Sequence, residues 1–140
     1  MTTTNPKTLD FVLYFFRLNV KDLLRVSSFY EKAFGFVLES TEKHAQFEER
    51  LLVLPEQSIK VALVTLSDNP KPDSGTTHTL GFFTTNVAAA TANVVANGGT
   101  IEKGPISFPG ATIVWVNDPE GNPIEMMHLD GTEVALPDEI

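Results

Sequence analysis

Apolar and polar positions along the chain follow two different periods, and the same succession of periods occurs twice. Leu9–Val20 is rich in aromatic and branched residues, which is typical of a β-strand. From Asp22 onward, apolar residues recur at helical spacing until Gly35, so the pattern predicts a helix capped by these two residues. Shorter apolar stretches then predict three more strands, over residues 36–42, 44–54 and 59–66.

The second half of the chain repeats this β-α-β-β-β order. Asn86 and Gly99 bound a second predicted helix, and each lies 64 residues after its counterpart, Asp22 or Gly35. The strands around this helix are predicted over residues 79–84, 100–106, 111–116 and 123–129. A repeated unit of this size predicts two half-sheets that face each other, and the cleft between them is the place to look for a ligand.

The pattern predicts one domain of the α+β class, built from two modules. The first module is expected over about residues 9–66 and the second over about 79–129. Between them, residues 67–78 carry Asp, Asn, Ser, Gly and two prolines, which is typical of a linker. An acidic tail over residues 130–140 has little packing capacity.

The composition narrows the classes of function. With no cysteine, the chain has no disulfide, thiolate metal site or cysteine nucleophile, which agrees with a cytoplasmic location. No stretch approaches the roughly 20 apolar residues of a membrane helix, and a signal-peptide pattern is absent. The net charge of −8 argues against nucleic-acid binding and permits a cationic ligand.

Two local motifs give the chain a family resemblance. Ser28–Phe36 carries the end of the first helix through Gly35 into a strand, and Asp118–Glu125 carries an Asp-Pro-Glu-Gly-Asn turn into the last strand. Together they resemble the vicinal oxygen chelate superfamily, which includes glyoxalase I, bleomycin resistance proteins and extradiol dioxygenases. The resemblance covers about residues 9–129. It implies paired βαβββ modules that form a curved mixed sheet around a cleft, and assembly as a homodimer.

The resemblance also implies metal-ligand positions on the first and last strand of each module. Carried over by position, they fall on Phe15, Val61, Thr79 and Glu125. Of these four side chains only the Glu125 carboxylate is a good ligand for a divalent metal, and catalytic sites generally need about three protein ligands. We therefore expect no cofactor. The alternative is a divalent metal at Glu125 with His78, if the strand register shifts by one residue.

The same positions outline a candidate ligand site. Glu125 is flanked by apolar neighbours and needs a donor or a cation as partner, and Arg17 on the first strand is a candidate for that role. The alternative is that Glu125 forms a structural ion pair. The resemblance implies that Phe15, Val61 and Thr79 face the cleft with Glu125. Leu63, Phe83 and Met127 share a strand face with these positions and are expected to line the same cleft. Trp115 is a further candidate for the cleft, but the pattern does not decide which face of its strand it occupies.

Two functional hypotheses follow. The first is a metal-independent protein that binds an antibiotic-like, cationic or planar small molecule in the cleft, as the resemblance to bleomycin resistance proteins implies. Aromatic rings hold such ligands without a metal. The second is a glyoxalase-like lyase or a dioxygenase, with Glu125 as catalytic residue and a divalent metal at a degenerate site. Whether metal binds discriminates between them.

Overall fold

A computed structural model describes residues 15–67 and 79–130 of the chain. Several predicted features lie outside these residues: the start of the first predicted strand over 9–14, nearly all of the linker together with His78, and the acidic tail beyond Asp130.

The described residues form the β-α-β-β-β order twice, which confirms the predicted α+β class. The first set is β1 (Phe15–Asn19), α1 (Leu23–Phe34), β2 (Val37–Lys43), β3 (Phe47–Val53) and β4 (Lys60–Leu66). The second set is β5 (Leu80–Phe83), α2 (Val87–Ala96), β6 (Thr100–Phe108), β7 (Ala111–Asn117) and β8 (Pro123–Leu129). We call these sets the first and second module.

Both helices begin at the caps that the sequence indicates. The Asp22 carboxylate accepts a hydrogen bond from the backbone N–H of Arg25 at 3.1 Å, and the Asn86 side chain accepts one from Ala89 at 3.0 Å. Gly35 ends α1 in the left-handed conformation at φ 83°, which a residue with a Cβ adopts only under strain. Neither described helix has the length and hydrophobicity needed to cross a membrane.

The strands form two four-stranded sheets of identical topology. Their orders are β1-β4-β3-β2 and β5-β8-β7-β6, with β1 parallel to β4 and β5 parallel to β8. Each helix packs on one face of its own sheet, and the two helices touch each other. One apolar core therefore runs through both modules on these helix faces; among its largest buried side chains are Phe29, Tyr30, Leu52, Leu63, Ile124 and Met126.

The other face of each sheet carries no described helix, and we call it the open face. Because side chains alternate along a strand, residues next to core positions point to this face. On the first sheet it holds a separate apolar cluster; its members are Leu51, Ala62 and Val64, with Phe47 and Leu66 packed against them.

The two modules differ by one residue before their last strand. Six residues, 54–59, connect β3 to β4, whereas five residues, 118–122, connect β7 to β8. Matching positions of the two modules are therefore 64 residues apart before the last strand and 63 residues apart between β4 and β8. Glu125 corresponds to Ala62 and not to Val61. A shift of one residue sends every side chain of a strand to the other face of the sheet.

This difference places Val61 and Leu63 on the helix face of β4, where Val61 also lines a hollow of about 300 Å³ between the modules with Thr79 and Gly81. Val61 is 3% exposed and Leu63 is fully buried, and both belong to the core on the helix face. A 64-residue repeat carried through the whole module pairs Glu125 with Val61, and Leu63 shares the strand face of Val61. The extra residue in the β3–β4 connection makes the match of Val61 to Glu125 wrong, and Leu63 is a buried core residue.

A buried carboxylate joins the second module to α1. Asp118 is 2% exposed, and its carboxylate accepts hydrogen bonds from the Tyr30 hydroxyl at 2.9 Å and the Asn122 amide at 2.7 Å. The backbone N–H groups of Glu120 and Asn122 also donate to it, at 2.8 and 2.9 Å. A buried charge is tolerable only with such a complete set of donors.

The same turn also holds the start of α1. The Glu120 carboxylate accepts hydrogen bonds from the backbone N–H groups of Lys21 and Asp22, at 2.7 and 2.6 Å. These groups precede the first turn of the helix, where an acidic side chain is favoured by the helix dipole. The turn 118–122 is thus fastened to α1 at two places.

The Tyr30 contact predicts a specific loss of stability at alkaline pH. Burial, together with the neighbouring Asp118 carboxylate, raises the pKa of Tyr30 well above its usual range. The unfolded chain ionises this phenol near about pH 10 and the folded chain resists ionisation, so the free energy of unfolding falls as pH rises above about 10.

We expect Tyr30→Phe to lower the free energy of unfolding by about 1.5–3 kcal/mol near neutral pH, because the variant loses a hydrogen bond to a charged group. The gap between wild type and variant should shrink above about pH 10. Urea unfolding at several pH values measures both effects. A gap that stays constant with pH would show that Tyr30 ionises normally.

Candidate functional site

Four residues form a row across the open face of the second sheet. Lys103 on β6 is the register partner of Trp115 on β7, and Trp115 is the partner of Glu125 on β8. Glu125 is in turn the partner of Gly81 on β5. The row therefore places a cation, an indole ring, a carboxylate and an empty position side by side.

The Trp115 indole N–H donates a hydrogen bond to Glu125 Oε1 at 3.1 Å. Both side chains are half-buried. The second carboxylate oxygen of Glu125 has no hydrogen bond to any described residue. The hydrogen bond thus fixes the Glu125 carboxylate against the edge of the indole ring. The other carboxylate oxygen can accept a hydrogen bond from a ligand or attract a positively charged group of the ligand.

Arg17 is not the partner of Glu125 in the structure. Its Nε donates to Asn19 Oδ1 at 2.9 Å, on the open face of the first sheet. The indole of Trp115 holds Glu125 instead, because cross-strand neighbours on adjacent strands are closer than residues on separate sheets. The ion pair expected from the sequence is therefore replaced by a hydrogen bond to a neutral group.

Lys103 lies over the face of the same ring. Its ammonium is 5.6 Å from the centre of the Trp115 ring, and Lys103 is exposed. A cation–π contact at an exposed site contributes about 0.5–1 kcal/mol. The contact shows that the face of the indole is accessible to a cation, and a ligand could displace it at little cost.

Two neighbouring hollows share Glu125 as a wall. One of about 320 Å³ lies on the Trp115 side; its lining includes Thr79, Lys103, Trp115, Asn117 and Glu125. The other, of about 230 Å³, lies on the opposite side and is lined by Gly81, Phe82, Phe83, Glu125 and Met127. All of these residues belong to the second module. A third hollow of about 300 Å³ lies between the modules and shares Thr79 and Gly81 with them.

The sequence-predicted residues divide among three places. The second module brings five of them together around the two hollows: Thr79, Phe83, Trp115, Glu125 and Met127. Phe15 and Arg17 lie on β1, at the open face of the first sheet. Val61 and Leu63 lie in the core. The alternation along β7 and the register with β8 decide the face of Trp115, which the sequence left open.

The matching row of the first module is unlike this one. It consists of Ser40, Leu51, Ala62 and Arg17, in the same strand order. Ala62 stands where the second module has Glu125, and Leu51 stands where it has Trp115. The acceptor and the ring of the candidate site therefore exist only in the second module.

These residues do not fit a divalent metal. With the corrected repeat, the four family positions are Phe15, Ala62, Thr79 and Glu125, which supply one carboxylate and one hydroxyl. Among the described residues, no group of three or more His, Asp or Glu side chains could hold a metal ion. His78, the other candidate ligand, lies outside the described residues.

A wider groove of about 1040 Å³ lies between the start of α1 and the β2–β3 hairpin. Charged residues of both signs line it, and two of them are engaged in structural contacts. Arg50 Nε donates to Ser27 Oγ at 2.8 Å, and Glu120 holds the start of α1. The groove lacks an exposed ring, so the hollows at Glu125 are the better candidate site.

Reasoning from the sequence missed Lys103 and Gly81. Lys103 reaches Trp115 only through the pairing of β6 with β7, which contains two register shifts that no sequence pattern indicates. Gly81 did carry a signal, because an isolated glycine inside a strand often marks a bulge or a close approach of a ligand.

Comparison with known proteins identifies the family. A family model described as the Glyoxalase/Bleomycin resistance protein/Dioxygenase superfamily matches residues 9–126. No curated protein matches the chain.

Several solved structures share the fold. A variant of glyoxalase I from Zea mays is 24% identical with a TM-score of 0.71, over 83% of this chain and 45% of that one. TnmS3, an antibiotic binding protein from Streptomyces sp. CB03234, is 21% identical with a TM-score of 0.70, over 88% and 99%. A glyoxalase-related enzyme from Fulvimarina pelagi is 18% identical with a TM-score of 0.67, over 92% and 95%.

At these identities the likeness establishes the fold alone. The chain also spans less than half the length of the Zea mays glyoxalase I variant. The residues of the open face, and not the likeness, must therefore indicate the chemistry.

The donor set of the site generates a prediction about metals. We expect the Tm of chelator-treated protein to be unchanged by Ni²⁺, Zn²⁺, Mn²⁺ or Fe²⁺, because one carboxylate and one hydroxyl bind these ions weakly. A metal at 100 times its Kd would stabilise the fold by about 2.7 kcal/mol, which calorimetry detects easily. A stabilisation that disappears in Glu125→Ala would contradict the prediction and show a metal at Glu125.

Proposed function

The chain belongs to the glyoxalase/bleomycin resistance protein/dioxygenase superfamily, and within it we propose a metal-independent binding protein for a cationic or planar small molecule. The observation that carries this proposal is the Trp115–Glu125 pair on the open face of the second sheet. The function would be sequestration, because the described residues of the site offer an aromatic ring and a hydrogen-bond acceptor that can bind a ligand.

Each member of the pair has a separate task in the proposal. The indole ring of Trp115 stacks on a planar ligand and attracts a positive charge through its π-face. The free oxygen of Glu125 accepts a hydrogen bond from the ligand, and this bond is stronger when the donor is charged. The Trp115 N–H keeps the carboxylate in place before the ligand arrives, so little ordering is needed on binding.

Two further observations support a cationic ligand. The net charge of −8 favours the approach of cations. The ammonium of Lys103 already lies 5.6 Å from the centre of the Trp115 ring.

TnmS3, which shares the fold over nearly its whole length, is an antibiotic binding protein. As part of the proposal, we assign an antibiotic-like ligand to this chain. We also propose that the chain is located in the cytoplasm.

A second candidate function is a glyoxalase-like lyase or a dioxygenase. Glu125 favours it, because the carboxylate stands at a position that the family uses for a metal ligand, and glyoxalase I is among the chains of similar fold. The companion positions Phe15, Ala62 and Thr79 lack good metal donors. We therefore place this function second, and the metal titration described above decides between the two.

We also propose that a second copy of the chain completes the site. The hollows around Glu125 are lined by the second module only. On the open face of the first sheet, Phe47 and Leu66 are half-buried and pack against the buried side chains Leu51, Ala62 and Val64. In the proposed homodimer, Phe47 and Leu66 of one copy lie over the Glu125 hollows of the other copy and form an apolar wall opposite the ligand.

Charge discrimination tests the proposed ligand class. We expect N-methylquinolinium to bind about tenfold more tightly than neutral quinoline, a ratio that corresponds to about 1.4 kcal/mol of charge-assisted interaction. Glu125→Gln should reduce this preference, because it removes the carboxylate charge, keeps the shape and leaves the contact of the cation with the Trp115 ring. Isothermal titration calorimetry at neutral pH measures both affinities.

Trp115→Leu serves as the matched variant for the ring. It should lower the affinity for both probes, because both the charged and the neutral ring system stack on the indole. Because Trp115 is the one tryptophan of the chain, quenching of intrinsic fluorescence reports binding at this site independently. Equal affinities for the two probes in wild type would contradict the proposed role of Glu125.

The dimer is tested by sedimentation velocity. We expect wild type to sediment as a dimer and Phe47→Arg as a monomer, because Phe47 belongs to the apolar cluster of the first open face. Leu24→Arg is the matched control, since Leu24 is 67% exposed on α1, away from that cluster. A wild-type monomer, or a dimer that both variants leave intact, would contradict the proposed interface.

A further inference from the structure

The hollow beside Gly81 is the least explained feature of the open face. Gly81 lies inside β5, where glycine is less stable than alanine by about 0.5–1 kcal/mol. A Cβ added at Gly81 would meet no atom within 4 Å, and its φ is not in the left-handed region. Neither packing nor backbone geometry therefore requires a glycine here.

Gly99 shows the contrast. A Cβ at Gly99 would come within 2.6 Å of the carbonyl oxygen of Asn117 and of the Val94 side chain, so close packing requires that glycine. At the position matching Gly81, the first module has Arg17, whose long side chain lies along the open face without disturbing the sheet. A large residue is thus compatible with this position, and its absence leaves space next to Glu125.

The walls of this space are apolar and accessible. Phe83 is 55% exposed, and Met127 is half-buried on the neighbouring strand. Both line the hollow of about 230 Å³ together with Gly81 and Glu125. An aromatic ring and a thioether beside an empty position form a surface that favours an apolar or aromatic group.

Building on the proposed function, we infer that the site is bipartite and that Gly81 opens its second half. The planar part of the ligand lies on Trp115, its cationic or hydrogen-bond-donating centre meets Glu125, and an attached aromatic or branched apolar group occupies the hollow at Gly81. The ligand class is accordingly an elongated aromatic cation substituted at or near its charged centre.

The geometry of the sheet sets the length of this ligand. Trp115, Glu125 and Gly81 stand on three adjacent strands, β7, β8 and β5. Neighbouring strands are about 4.8 Å apart, so the outer two positions are separated by about 10 Å. A fused bicyclic ring with one further ring spans this distance, whereas a single ring does not.

Two probes that differ by one ring test the inference. N-benzylquinolinium carries the charged bicycle of N-methylquinolinium and adds a phenyl group next to the charge. We expect wild type to bind the benzyl probe about tenfold more tightly, because the phenyl ring leaves water for the apolar hollow. Isothermal titration calorimetry gives the ratio of the two affinities.

Gly81→Leu fills the hollow and should weaken binding of the benzyl probe about tenfold more than binding of N-methylquinolinium, so that the advantage of the benzyl probe is lost. Gly81→Ala is the matched control and should keep most of the advantage, because a methyl group fills little of the space. Phe83→Ala removes one exposed wall of the hollow and should also reduce the advantage of the benzyl probe. This second variant adds no bulk, so its result does not depend on how a leucine at position 81 packs.

The outcomes separate the two proposals. Binding of N-methylquinolinium to wild type with no benzyl advantage, or equal weakening of both probes by Gly81→Leu, would overturn the bipartite site and leave the proposed function intact. Binding of neither probe to wild type would overturn the proposed function and this inference with it. A benzyl advantage lost in both Gly81→Leu and Phe83→Ala supports the second half of the site.

Discussion

The buried carboxylate of Asp118 is the interaction on which the arrangement of this molecule depends. It accepts hydrogen bonds from Tyr30 of the first module and from Asn122 of its own turn. Removing water from a carboxylate is costly, so the fold is stable only while these donors stay in place. The contact therefore fixes the turn 118–122 to α1, and with it the residue at which β8 begins.

The turn 118–122 also sets the geometry of the candidate site. Because β8 begins at Pro123, Glu125 becomes the register partner of Trp115 on one side and of Gly81 on the other. One more residue in the turn would move the Glu125 side chain from the open face of the sheet to the helix face. The first module shows this effect: its connection is one residue longer, and the residue at the Glu125 position is Ala62.

The duplicated modules have thus diverged in chemistry while keeping one topology. The open face of the second sheet places a cation, an indole and a carboxylate side by side in one row. In the corresponding row of the first sheet, the two central positions are the apolar residues Leu51 and Ala62. In the proposed dimer, the second sheet of one copy recognises the ligand and the first sheet of the other copy excludes water from it. Polar recognition is stronger in such a shielded setting than on a bare sheet.

The amino-acid sequence by itself determined the local structure. Asp22, Asn86 and Gly35 specify the helix ends through hydrogen bonds and backbone conformations that involve only near neighbours, so the βαβββ order and the fold class were predictable. Glu125 and Trp115 were also recognisable as candidates. Only the tertiary structure decided that they bond to each other, that Lys103 and Gly81 join them, and that Val61 and Leu63 are core residues. These outcomes depend on the register between strands, which one residue in a connection changes and no local pattern reveals.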